Sequence, residues 1–132
     1  MKKVKLLVAI SLLLLVTTSI ACQPAVPQEP EILPATIQDI RVEIADTHPP
    51  QVMAYIVAEI PDACTEFHDL KTERSDNSTI NIDLTVKHTP GKSCKRTEGS
   101  ILMQNVNLGS DFVSSQTYTI NVNDKMTTFV ME

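Results

Sequence analysis

The sequence predicts an all-β fold, a two-layer sandwich of about seven antiparallel strands, and three observations predict it. After residue 36, apolar and polar residues alternate with a period of two in several separate stretches, the pattern of strands buried on one face. Turn-forming clusters separate those stretches at roughly 8 to 14 residues, the spacing expected of sandwich strands. Val, Ile and Thr are abundant, and eight prolines outnumber three glycines, which suits strands joined by rigid turns.

Taken in order, Ile37 to Ile44 sets Ile40, Val42 and Ile44 on one face and Arg41 and Glu43 on the other. His48-Pro49-Pro50 ends that strand, because proline has no N–H for a ladder and constrains the residue before it. Gln51 to Ile60 is the most apolar segment, with Val52, Ala54, Ile56, Ala58 and Ile60 on one face and Met53, Tyr55 and Val57 opposite. A helix would fit that composition, but the flanking Pro50 and Pro61 and the β-branched content favour a central strand. Between Cys64 and Thr72, Phe67 and Leu70 fall one residue out of alternation, which predicts a bulge.

Ser75 to Ser78 is a polar turn. Thr79 to His88 is the cleanest strand, with Ile80, Ile82, Leu84 and Val86 facing one way and Asn81, Asp83, Thr85 and Lys87 the other. Thr89-Pro90-Gly91-Lys92-Ser93 is a loop signal leading into Cys94. Ile101 to Leu108 resumes a strand whose core face is Leu102, Val106 and Leu108, and Gly109-Ser110-Asp111 turns the chain again. Tyr118, Ile120 and Val122 then alternate up to Asn123-Asp124, a two-residue hairpin turn. That turn sets Tyr118 opposite Phe129 and Ile120 opposite Thr127, so both aromatics share a face with Met131.

The amino end is of a different kind. Lys2, Lys3 and Lys5 precede an apolar run of 11 residues, Leu6 to Val16, broken only by Ser11. A spanning helix needs about 20 such residues; a positive start, a short apolar stretch and a small residue before a cut make an export signal. Gln23 to Pro34 then carries prolines at 24, 27, 30 and 34, the composition of an extended spacer. The expected organisation is a signal peptide over 1–21, Cys22 with a Pro-rich tether over 22–35, and the sandwich over 36–132.

Ser19-Ile20-Ala21-Cys22 resembles the processing site of bacterial lipoproteins, although Ser19 stands where that family usually has an aliphatic residue. The resemblance covers about 22 residues and implies that Cys22 is thioether-linked to diacylglycerol, holding the chain on the extracytoplasmic face of the cell membrane. Cleavage without acylation and an uncleaved anchor stay open on the residues alone. The run Thr117 to Asp124 is similar to the last hairpin of bacterial immunoglobulin-like domains, which implies an Ig-like sandwich in the broad sense. The chain has no Trp, so the antibody-type Cys…Trp…Cys signature is missing.

Loss of residues 1–21 removes three of the 11 basic side chains and none of the 16 acidic ones, leaving a formal charge of −8. Such a chain is unsuited to the phosphate backbone of nucleic acid. In an oxidising compartment Cys64 and Cys94 are expected to form a disulfide. No C-x-x-C motif argues for a redox-active pair instead.

Nothing in the chain selects a catalytic centre. His48, His68 and His88 lack metal-ligand spacing, no D-x-D-x-D-G calcium loop is present, and no serine sits in a G-x-S-x-G elbow. No catalytic residue, metal or cofactor is therefore expected. Lys87, His88, Lys92, Lys95 and Arg96 form the one basic cluster. It is either a solvated loop or, with Lys92, Lys95 and Arg96 as contacts, a binding loop for lipid headgroups, an envelope polymer or a protein. The expected function is a non-catalytic binding or structural module. A protease-inhibitor-like Ig-fold domain and, further off, a small hydrolase are the alternatives.

Overall fold

The computed structural model describes residues 28–91 and 93–132, so the stretch read as a signal peptide, Cys22 and Lys92 lie outside the described residues. Eight strands follow in order: β1 (Glu31–Pro34), β2 (Thr36–Ala45), β3 (Gln51–Glu59), β4 (Thr65–Arg74), β5 (Thr79–His88), β6 (Ile101–Gly109), β7 (Thr117–Val122) and β8 (Lys125–Val130). They form two sheets, β2-β3-β6 and a five-stranded sheet built around β5. The all-β, two-layer expectation holds.

Two features depart from the sequence reading. The first is the extra strand, since Glu31–Pro34 falls within the stretch read as tether yet pairs with β5 from Glu31↔His88 to Pro34↔Thr85. Proline density hides it, but Pro34 stands at the strand's end, where a missing N–H costs little. The second is a parallel pairing of β5 with β7, from Thr79↔Thr119 to Ile82↔Val122. Strand alternation fixes which residues are buried; it carries no information on strand direction.

β5 organises its sheet. One edge lies against β4 along its length, with the expected bulge between Phe67 and Asp69. The other edge is divided between two partners from opposite ends of the chain, β7 on its first half and β1 on its second. Asn123 fills the seam between them. Its backbone, at a φ of 52°, is left-handed, a conformation that asparagine adopts more readily than most residues. Its N–H donates to the Ile82 carbonyl at 3.2 Å. Its side chain then continues the ladder: Nδ2 donates to the carbonyls of Leu84 (2.9 Å) and Ala35 (2.7 Å), and Oδ1 accepts from the Leu84 N–H at 3.0 Å. The side-chain amide does here what a backbone peptide would do.

The core lies where the alternation places it. Ala54, Ile56 and Ala58 of β3 are buried against Ile80, Ile82, Leu84 and Val86 of β5 and Ile120 and Val122 of β7, while Val52 packs with Tyr118 and Met131. Leu102, Val106 and Leu108 of β6 face the same interior. The closing hairpin has the expected register, Tyr118↔Phe129 and Ile120↔Thr127. Phe112 joins that pair from the preceding loop, edge-on to the Tyr118 ring at 4.9 Å and an interplanar angle of 86°. Val113 donates its N–H to the Tyr118 hydroxyl at 2.7 Å, so the buried phenol is satisfied.

The strands give the sandwich two distinct ends. At the entry end lie Glu31, the β3–β4 turn through Cys64, and the β5–β6 loop Thr89 to Ser100. At the far end lie the turns Asp46 to Pro50 and Ser75 to Ser78 and the loop Ser110 to Gln116. If the seam carries the divided edge, Asn123→Ala will lower stability in urea denaturation by about 2–3 kcal/mol, because it strands buried backbone groups. Asp124→Ala, at the exposed neighbouring position, will change it by less than about 0.5 kcal/mol.

Candidate binding surface at the entry end

The β5–β6 loop is sewn to the β3–β4 turn. Ile60 donates its N–H to the Ser100 carbonyl at 3.0 Å, Ala63 to Lys95 at 3.0 Å, and Thr97 to Pro61 at 3.1 Å. Asp62 and Arg96 form an isolated antiparallel bridge. The expected disulfide is present: Cys64 and Cys94 are bonded, with Cα atoms 5.2 Å apart across a sequence separation of 30.

Asp62 shapes the turn. Its Oδ1 accepts from the Cys64 N–H at 2.9 Å and from the Thr65 hydroxyl at 2.8 Å, a local side-chain turn of the kind Asp favours. His88, at the end of β5, closes the group, with Nδ1 3.1 Å from Thr65 Oγ1 and 3.5 Å from Asp62 Oδ1. The Thr65 hydroxyl hydrogen is committed to Asp62, so the Nδ1–H of His88 donates to Thr65. The Thr65 hydroxyl holds the Asp62 carboxyl below its usual range, helped by the Cys64 N–H and His88.

Three hydrolase-like residue types thus meet, but their geometry is not that of a relay. A base must accept the nucleophile's proton on one ring nitrogen while the acid holds the other. Here Asp62 and Thr65 both converge on Nδ1. Thr65 is also buried. The cluster stabilises a turn.

Charge at this end is partly cancelled. Lys87 Nζ lies 2.6 Å from Glu66 Oε1, and its hydrogen bond and charge hold the Glu66 carboxyl below its usual range. Lys95 and Arg96 are exposed and make no ion pair among the described residues. Of the three proposed contacts, Lys92 lies outside the described residues. The histidines do not converge: His48 sits in the β2–β3 turn, His68 at the β4 bulge and His88 in the Asp62 cluster. No group of three potential metal ligands occurs among the described residues.

A second surface is the outer face of the small sheet. Tyr55, Val57 and Met103 line an open depression of about 320 Å³ with Asp39, Arg41 and Glu43. The Glu43 carboxylate beside Tyr55 pushes its phenol above the ordinary value. The alternation of β3 identified this face, but its bordering row of charges from β2 required the strand pairing. The Asp62–Thr65–His88 group was out of reach too, since His88 is 23 residues from Thr65. Its one local signal is the Asp62-Ala63-Cys64-Thr65 spacing, which suits a side-chain turn.

A small two-sheet β-sandwich whose end loops are bound together by a disulfide is the class that this fold defines. Residues 54–131 match the ORF11 beta-sandwich domain, and the chain belongs to that family. The match runs from β3 through β8 and includes both bonded cysteines. No curated protein and no solved structure matches the chain.

Closing a loop of this length contributes about 3–4 kcal/mol in the chain-entropy account. Replacing both Cys64 and Cys94 by Ala will lower stability by that order in urea denaturation while leaving the β-sheet circular dichroism unchanged. The lowered pKa values of Asp62 and Glu66 set a pH dependence. Their contribution is full above the usual carboxylate range and is lost as pH falls through the lower folded-state values. Asp62→Asn will therefore destabilise the protein at neutral pH and shrink the difference from wild type in acid, read as melting temperature against pH.

Proposed function

We propose that this chain is an exported protein, acylated at Cys22 and held on the extracytoplasmic face of the cell membrane, whose sandwich is a non-catalytic binding or structural module. The observation that carries the reading is the Cys64–Cys94 disulfide. Such bonds form and persist outside the reducing cytosol, in keeping with the basic and apolar start of the chain. The lipoprotein-like Ser19-Ile20-Ala21-Cys22 supplies the anchoring cysteine, and two or more acyl chains are enough for stable attachment.

A binding or structural role is supported by the use made of the polar residues. Asp62, Thr65 and His88 hold a turn, and Asn123 holds a sheet seam. What remains exposed is suited to contact: the entry-end loop with Lys95 and Arg96, and the outer face around Tyr55.

Intact-mass analysis of protein taken from native membranes tests the reading. The expected product begins at Cys22 and carries diacylglycerol, and Cys22→Ser moves the protein out of the membrane fraction. An unmodified amino end, or reduced Cys64 and Cys94 in the native protein, would overturn it.

A further inference from the structure

Where the chain enters the sandwich decides which end meets the membrane. Glu31 pairs with His88, beside Thr65 and the disulfide loop. Between Cys22 and Glu31 stand only Gln23 to Pro30, a stretch that spans at most roughly 30 Å even fully extended. The sandwich is itself about 33 Å long, judged from the ten residues of β5 at ~3.3 Å each. An anchor at Cys22 therefore keeps the entry end within reach of the headgroups.

That end has the side chains of an interfacial surface. Lys95 and Arg96 are exposed, and Ile32 and Phe67 on the larger sheet and Ile101 on the smaller one, all near this end, are 46%, 42% and 54% exposed. Cations flanking apolar side chains suit the headgroup boundary, where ammonium and guanidinium groups meet phosphate while apolar groups leave water. Glu31, Glu59, Asp62, Glu66 and Glu98 share this end with Lys87, Lys95 and Arg96, so its net charge is slightly negative and its affinity for lipid in free solution is weak. Attachment changes the balance, because a short linker raises the local concentration to the order of millimolar.

We propose that the disulfide-bearing end of the sandwich rests on the lipid headgroups of the bilayer that holds Cys22, with Lys95 and Arg96 contacting lipid phosphates. The far-end loops then face outward. The inference rests on acylation at Cys22, and it assigns the basic loop to the lipid surface rather than to a protein or polymer.

The absence of Trp from the chain makes a direct test possible. Single-Trp variants of the full acylated protein, Ser93→Trp or Glu98→Trp at the entry end and Asn77→Trp or Ser114→Trp at the far end, are reconstituted into phosphatidylcholine vesicles. The vesicles carry a dansyl headgroup acceptor, with and without phosphatidylglycerol. Energy transfer from either entry-end Trp is expected to exceed that from either far-end Trp by about threefold or more, given a sandwich length of ~33 Å. Adding Lys95→Glu and Arg96→Glu is expected to reduce the entry-end transfer on phosphatidylglycerol vesicles. Equal transfer from the two ends, or no response to the charge reversal, overturns the proposal. Protein whose mass shows no lipid on Cys22 overturns the anchoring reading itself, so the two failures are distinguishable.

Discussion

The divided edge of β5 is the constraint on which the rest of the fold depends. A strand edge presents N–H and C=O groups at fixed spacing, and buried ones must be paired. Here one edge is covered first by β7 and then by β1, which lie far apart in sequence and meet β5 in opposite senses. Two strand ends meeting on one edge leave a gap in the ladder. The Asn123 side chain closes it with one acceptor and two donor hydrogen bonds, and so holds the chain's entry, its central strand and its final hairpin in one register.

How much of this was legible depends on the range of the signal. Period-two alternation together with the turn signals between its runs located seven of the eight strands, and the Asn123-Asp124 turn set the register of the last hairpin, since local patterning decides both. β1 was missed because its two apolar residues, Ile32 and Leu33, lie between prolines that read as a spacer. The parallel β5–β7 pairing was missed because alternation looks the same in either direction. Asn123 was read as a turn residue, which it is, but its second role depends on Ala35, 88 residues away.

The entry end shows the same division. Cys64 and Cys94 could be paired from number and compartment, and they are bonded. The exposure of Lys95 and Arg96 agrees with a loop position. No pattern in the sequence indicated that His88 would close over Asp62 and Thr65, or that this loop would share an end of the molecule with Glu31. Those facts come from the pairing of β5 with both β1 and β4. The polar side chains of Asp62, Thr65, His88 and Asn123 are occupied in satisfying backbone and turn groups.

The continuity of β1 and β2 also has a mechanical consequence. The chain runs along β5 as β1, crosses between layers at the buried Ala35, and continues along β3 as β2. A pull on Pro30 along the strand direction would load the β1–β5 bonds together in shear instead of opening them one at a time. Beyond them the load meets Ala35, held by its N–H to Leu84 and by its carbonyl to Asn123. The same amide that completes the sheet is therefore a brake against drawing the chain out of the body by its leading end.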